Sequence, residues 1–134
     1  YKSGYLAMLV GLVFTAVVQS SSITTSLMIP MAAAGIISVH QIFPVALGAN
    51  VGTTVTAFLA SLATGRPEAL TIALVHLLFN MCGILTFYPI PELRKIPILA
   101  AQLLARKSAQ NRLYALMFIL IVFFLIPGVA IFLT

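Results

Sequence analysis

The residues best suited to chemistry form one short run: Gln19-Ser20-Ser21-Ser22, followed by Ile23, Thr24, Thr25 and Ser26. Six of the eight residues from Gln19 to Ser26 carry a hydroxyl. A hydroxyl both donates and accepts, so such a run serves an anion or a cation equally well. A second cluster, Gly48-Ala49-Asn50-Val51-Gly52-Thr53-Thr54, follows. Neither cluster holds a carboxylate, whereas Mg²⁺ and Ca²⁺ sites usually use Asp or Glu. Neutral oxygens suit a monovalent cation, and an anion bound beside it supplies the balancing charge and couples the two ions. The competing reading is hydroxyl-mediated helix packing. Concentration into two clusters, rather than scatter, favours a site.

Other chemistries fit poorly. His40, His76 and Cys82 lack metal-ligand spacing. No carboxylate stands near either histidine in sequence to orient it, and no Gly-x-Ser-x-Gly elbow is present, which argues against a serine hydrolase. His40 is expected at a helix start. His76 and Asn80 are one turn apart and are expected to hydrogen-bond across a helix face. The single cysteine, Cys82, cannot form an internal disulfide and is expected to pack in its apolar run. We expect no enzyme and no cofactor.

The elements that position these clusters follow from composition. Of 134 residues, 62% are hydrophobic and 7% charged, which excludes an ordinary soluble domain. No charge occurs between Ser3 and Gly65, from Ala69 to Pro91, or from Leu113 to Thr134. Each run reaches the roughly 20 apolar residues that span a hydrocarbon core. The net charge of +5 sits at the ends of these runs, not in a stripe with aromatics, so no nucleic-acid partner is expected. The start at Tyr1, with no signal-peptide pattern, predicts a piece of a longer protein or a chain whose start is not shown.

The fold expected is an all-α membrane protein with a re-entrant helical hairpin, a broken helix and continuous transmembrane helices. Two short apolar arms around the serine run predict the hairpin over 1–37. The glycines at 48 and 52 predict a broken helix over 40–64, with residues 48–56 unwound. A transmembrane helix is expected over 68–88, ended by Tyr88-Pro89-Ile90-Pro91. A surface helix is expected over 98–111, with Leu99, Leu103 and Leu104 toward lipid and Gln102, Arg106 and Gln110 toward water. A last spanning helix is expected over 113–133, kinked near Pro127-Gly128. Backbone groups freed at a break cannot face lipid. They offer N–H groups to an anion and carbonyls to a cation. With the hairpin entering and leaving on one side, Lys2, Arg94, Lys95, Arg106, Lys107 and Arg112 share a side against Arg66. The positive-inside rule makes the Arg94–Arg112 loop cytoplasmic in a multi-pass cell-membrane protein.

The Gln19-Ser20-Ser21-Ser22 run, followed by Gly48-Ala49-Asn50-Val51-Gly52-Thr53-Thr54, resembles the type II sodium-dependent phosphate cotransporters. The stretches Leu47–Leu62 and His76–Pro91 are similar to that family's second repeat, and Arg106, Lys107 and Arg112 fall where it has a basic intracellular loop. The resemblance implies one half of an inverted-repeat transporter that moves inorganic phosphate with sodium as coupling ion. It implies phosphate binding by Ser20, Ser21 and Ser22, and sodium binding by Gln19, Ser22, Asn50, Thr53 and Thr54. The family carries two Gln-Ser-Ser-Ser repeats and this sequence has one. The other is expected on the same polypeptide or on an antiparallel second copy. The alternative is a passive pore or structural module in the bilayer whose hydroxyls only pack helices.

Overall fold

The computed structural model describes residues 2–133. Tyr1 and Thr134, included in the predicted repeat, lie outside the described residues, as do the side chains of Lys2 and Ser3. Every regular element among the described residues is helical. The chain divides into two compact units, Tyr1–Arg94 and Lys95–Thr134.

The first unit holds α1 (Lys2–Val18), α2 (Ser21–Ala33), α3 (Val39–Thr64), α4 (Pro67–Phe87) and the start of α5 (Pro91–Gln110). Local chemistry sets the boundaries. At the start of α3 the Gln41 side-chain carbonyl accepts from the Ser38 N–H at 2.8 Å and from the Ser38 hydroxyl at 3.0 Å. Gly65, at φ 64°, ends α3 in the left-handed conformation, and Pro67 opens α4. At 1.5 Å per residue, α1 and α2 reach about 25 and 20 Å, short of the roughly 30 Å of a hydrocarbon core, while α3 reaches about 39 Å. Val39–Thr64 and Pro67–Phe87 are long and apolar enough to cross a membrane.

Packing in this unit runs through glycine. A Cβ on Gly48 would collide with the Met8 carbonyl, and one on Gly11 with the Val45 carbonyl. One on Gly52 would lie 2.6 Å from the Leu12 carbonyl oxygen. The pairs Met8–Gly48 and Leu12–Gly52 advance together, so α1 and α3 run parallel with their backbones in close approach. At the end where α1 begins, Tyr88, 5% exposed, meets Tyr5 edge to face at 5.3 Å. Its hydroxyl covers Gly4, and the Arg94 guanidinium lies over its ring at 5.3 Å. The starts of α1 and α3 and the end of α4 therefore share one end of the unit. Arg66 caps the opposite end of α4.

In the second unit α6 (Leu113–Ile119) continues through a π-helical stretch (Leu120–Leu125) into α7 (Ile126–Leu133). Together, Leu113–Leu133 is a third helix long and apolar enough to span. Lys107 lies over the Tyr114 ring at 5.5 Å, where α5 gives way to α6.

Several expectations are corrected. Residues 48–56 are not unwound, because α3 is one continuous helix. Its glycines admit the α1 backbone and do not loosen their own. The surface helix predicted over 98–111 begins earlier, at Pro91, which ends the turn after α4 and opens α5. On it Leu99 and Leu103 are exposed, whereas Leu104 and Gln102 are both half-buried. Upstream of Pro127-Gly128, where a kink is expected, the helix is π-helical over Leu120–Leu125. Pro127 crowds the carbonyl four residues back, at Phe123, and wider turns relieve that clash, with the Ile126 N–H reaching back to Ile121. Cys82 is exposed on α4 rather than packed, because α4 leaves apolar side chains such as Leu78 and Phe79 bare.

Candidate functional site

The break at the serine run is real and sharp. The Gln19 N–H still donates to the Thr15 carbonyl at 2.7 Å, completing the last turn of α1. Gln19 then takes φ 58°, the only non-glycine residue with positive φ among those described. A side chain in that region costs on the order of 1 kcal/mol or more and persists only where its surroundings hold it. Ser20 is extended at φ −151° and caps α2, its hydroxyl accepting from the Ile23 N–H at 3.3 Å.

In a continuous helix, residues nine apart stand about 13.5 Å apart. Here the Thr15 and Thr24 hydroxyls touch at 2.7 Å, so α2 folds back beside α1. Thr15 also lies against Gly52, where an added Cβ would come 2.8 Å from its own. Gly52 is thirteen residues after Val39 and twelve before Thr64. The hairpin turn thus reaches the region beside the middle of the longest spanning helix.

Two helix ends meet at this turn. The last carbonyls of α1 and the first N–H groups of α2 have no partner within their own helices. They carry partial negative and positive charge respectively. No basic side chain occupies the last turn of α1, and no acidic side chain the first turn of α2. The turn therefore offers a cation-favouring and an anion-favouring end side by side, both uncompensated. Ser20 and Ser21 are half-buried, while Gln19 and Ser22 are exposed. Among the described residues, the Ser21 and Ser22 hydroxyls engage no protein partner, whereas Thr25 returns its proton to the Ser21 carbonyl at 2.9 Å.

The chain matches the Na+/Pi-cotransporter family over residues 1–126. It belongs to this family. It is similar to sheep sodium-dependent phosphate transport protein 2A, 44% identical over 131 residues, covering 96% of this chain and 20% of the relative. It is similar also to human sodium-dependent phosphate transport protein 2B, 47% identical over 130 residues, covering 95% of this chain and 19% of the relative. The chain thus spans about one fifth of the length of the curated relatives it matches. No solved structure matches it.

Membership makes this cotransporter-family chain part of a membrane transporter family, not of an enzyme family. The α3 candidates stand differently from the serine run. Asn50 is exposed on α3, and Thr53 is half-buried with its hydroxyl on the Ala49 carbonyl at 3.2 Å. Thr54 is fully buried with its hydroxyl on the Val51 carbonyl at 2.8 Å. Among the described residues no hydrogen bond joins these three to residues 19–22. The Asn80 amide donates to the His76 backbone carbonyl at 3.2 Å, not to the imidazole as expected. His40 does lie at a helix start, one residue into α3. Sequence reasoning passed over Thr15, a lone hydroxyl inside an apolar stretch. It also took Gly48 and Gly52 for hinges, although their four-residue spacing is the signal for close helix packing.

Proposed function

We propose that the protein containing this chain takes up inorganic phosphate together with sodium by alternating access, with this chain as one of two Gln-Ser-Ser-Ser repeats. The observation that carries the reading is the meeting of two uncompensated helix ends at Gln19–Ser20, beside the middle of α3. Phosphate sits at the α2 N-terminus, held by Ser20, Ser21 and Ser22. Sodium sits toward the α1 C-terminus, with Gln19 and Ser22 as ligands. Asn50, Thr53 and Thr54 contribute side chains to it from α3, since that helix has no unwound carbonyls to give. The names of the relatives, all sodium-dependent phosphate transport proteins, support the choice of ions. The two arms of the hairpin, each too short to span, enter and leave on one side. The other repeat, on the same polypeptide or an antiparallel second copy, completes the site.

Radiolabelled phosphate uptake by the full-length protein tests this, with sodium replaced by choline as the control. Ser20→Ala, Ser21→Ala or Ser22→Ala each removes one hydrogen bond to a charged ligand, worth roughly 1.5–3 kcal/mol. The expected result is an apparent phosphate affinity about tenfold to a hundredfold weaker, at unchanged amount in the membrane. Uptake indifferent to sodium, or lost only in proportion to lost protein, overturns the reading in favour of a passive or structural module. The Arg94–Arg112 loop is cytoplasmic. In a Cys82→Ser background, Arg66→Cys reacts with an impermeant thiol reagent added outside intact cells, and Lys107→Cys does not.

A further inference from the structure

Four hydrogen bonds close a ring around the break. The Gln19 N–H donates to the Thr15 carbonyl at 2.7 Å. The Thr24 N–H and hydroxyl both donate to the Ser20 carbonyl, at 3.2 and 3.1 Å. The Thr15 and Thr24 hydroxyls meet at 2.7 Å. Thr24 has one hydroxyl proton and directs it at Ser20, so the proton between the threonines comes from Thr15. Both side chains are enclosed, Thr15 at 0% and Thr24 at 2% exposure, where an unpaired hydroxyl is costly. On its far side Thr15 is seated on Gly52, the one residue type whose lack of a Cβ makes room for it.

We propose that Thr15 is a positioning residue for the Gln19–Ser22 turn. Its hydroxyl, relayed through Thr24 to the Ser20 carbonyl, holds Gln19 left-handed and Ser20 extended. It thereby sets the direction in which the first N–H groups and serine hydroxyls of α2 are presented. Thr15 itself does not touch the ligand. This role rests on the reading of Ser20–Ser22 as the phosphate site.

Thr15→Val keeps the volume and removes the donor, while Thr15→Ser keeps the donor. In the full-length protein, uptake is measured per transporter in the membrane, and hydrogen exchange is followed across the backbone amides of residues 19–24. Thr15→Val is expected to raise the phosphate KM about tenfold, the scale of one hydrogen bond, with the maximal rate kept. It also speeds exchange at Gln19 and Thr24, and Thr15→Ser restores both readouts. Where Thr15→Val fails to reach the membrane, Thr24→Val and Thr24→Ser make the same comparison from the α2 side. Equal KM and equal exchange for the valine and serine variants overturn the proposal. If the Ser20–Ser22 alanine variants raise KM and Thr15→Val does not, the positioning role falls and the site stands. If those alanine variants leave KM unchanged, the site reading falls, and slow exchange lost in Thr15→Val and regained in Thr15→Ser still marks the clasp as ordering the turn.

Discussion

The run at residues 19–26 and the middle of α3 at residues 48–56 are both rich in small and hydroxyl-bearing residues, yet only the first holds a turn, at Gln19–Ser20. At the turn, Ser20 uses its hydroxyl to cap a new helix, and the chain reverses. In α3, Thr53, Thr54 and Thr56 return their protons to carbonyls three or four residues back, and the helix continues. Glycine sharpens the contrast. The turn takes its left-handed residue from Gln19, whereas Gly48 and Gly52 remain helical and receive the α1 backbone. Hydroxyls therefore do not by themselves mark a break in an apolar helix. What decides is whether the nearest unsatisfied N–H lies ahead of the residue, as at a cap, or whether only carbonyls lie behind it.

Substitutions at these two places test that distinction. The largest effect is expected at Gly48. A side chain there strikes the Met8 carbonyl, which belongs to a helix backbone and cannot swing aside. Gly48→Leu is expected at or beyond the upper end of the about 1–3 kcal/mol typical of overpacking, read as lost thermal stability in detergent. Gly83→Ala, where an added Cβ meets nothing within 4 Å, is the control and is expected to be neutral or stabilising by up to about 1 kcal/mol. Equal losses at both positions break the packing account of the α3 glycines.

A cap substitution is next in size. Ser20→Ala is expected to cost about 1 kcal/mol of stability, separately from its effect on uptake, because the Ile23 N–H loses its acceptor. Gln19→Gly then relieves left-handed strain and is expected to stabilise by a few tenths to about 1 kcal/mol while weakening sodium dependence. Stability unchanged with sodium dependence lost assigns Gln19 to the cation alone. The smallest effect is expected at Ser61, whose hydroxyl bonds the Phe58 carbonyl within α3. Ser61→Ala is expected to leave phosphate uptake per transporter unchanged, and a loss as large as that of Ser20→Ala removes the distinction between turn and helix.

Much of this organisation is legible in the residues. Charge-free runs are long enough to span and bounded by Gly65-Arg66-Pro67 and Tyr88-Pro89-Ile90-Pro91, so α4 and the Leu113–Leu133 rod are readable to within a residue. The hairpin break is readable because consecutive serines compete with the helix for backbone hydrogen bonds and are favoured at caps. The continuity of α3 is not readable in the same way. Gly48 and Gly52 have the same local freedom in a hinge as in a packed helix, and only a neighbouring backbone distinguishes the two. Thr15 was hidden for a related reason, since a lone hydroxyl in an apolar run gains a role only when a partner arrives from another element.

The sequence alone determined membrane residence, the helical class, the serine-capped break and the family, because each depends on composition or on chemistry between near neighbours. Tertiary structure decided that α1 lies parallel to α3 on two glycines, that the break lies beside the middle of α3, and that Thr15 and Thr24 clasp it. The physical reason is range. A cap needs partners within about one helical turn. A close helix crossing, or a hydrogen bond across a hairpin, depends on residues that only the folded chain brings together.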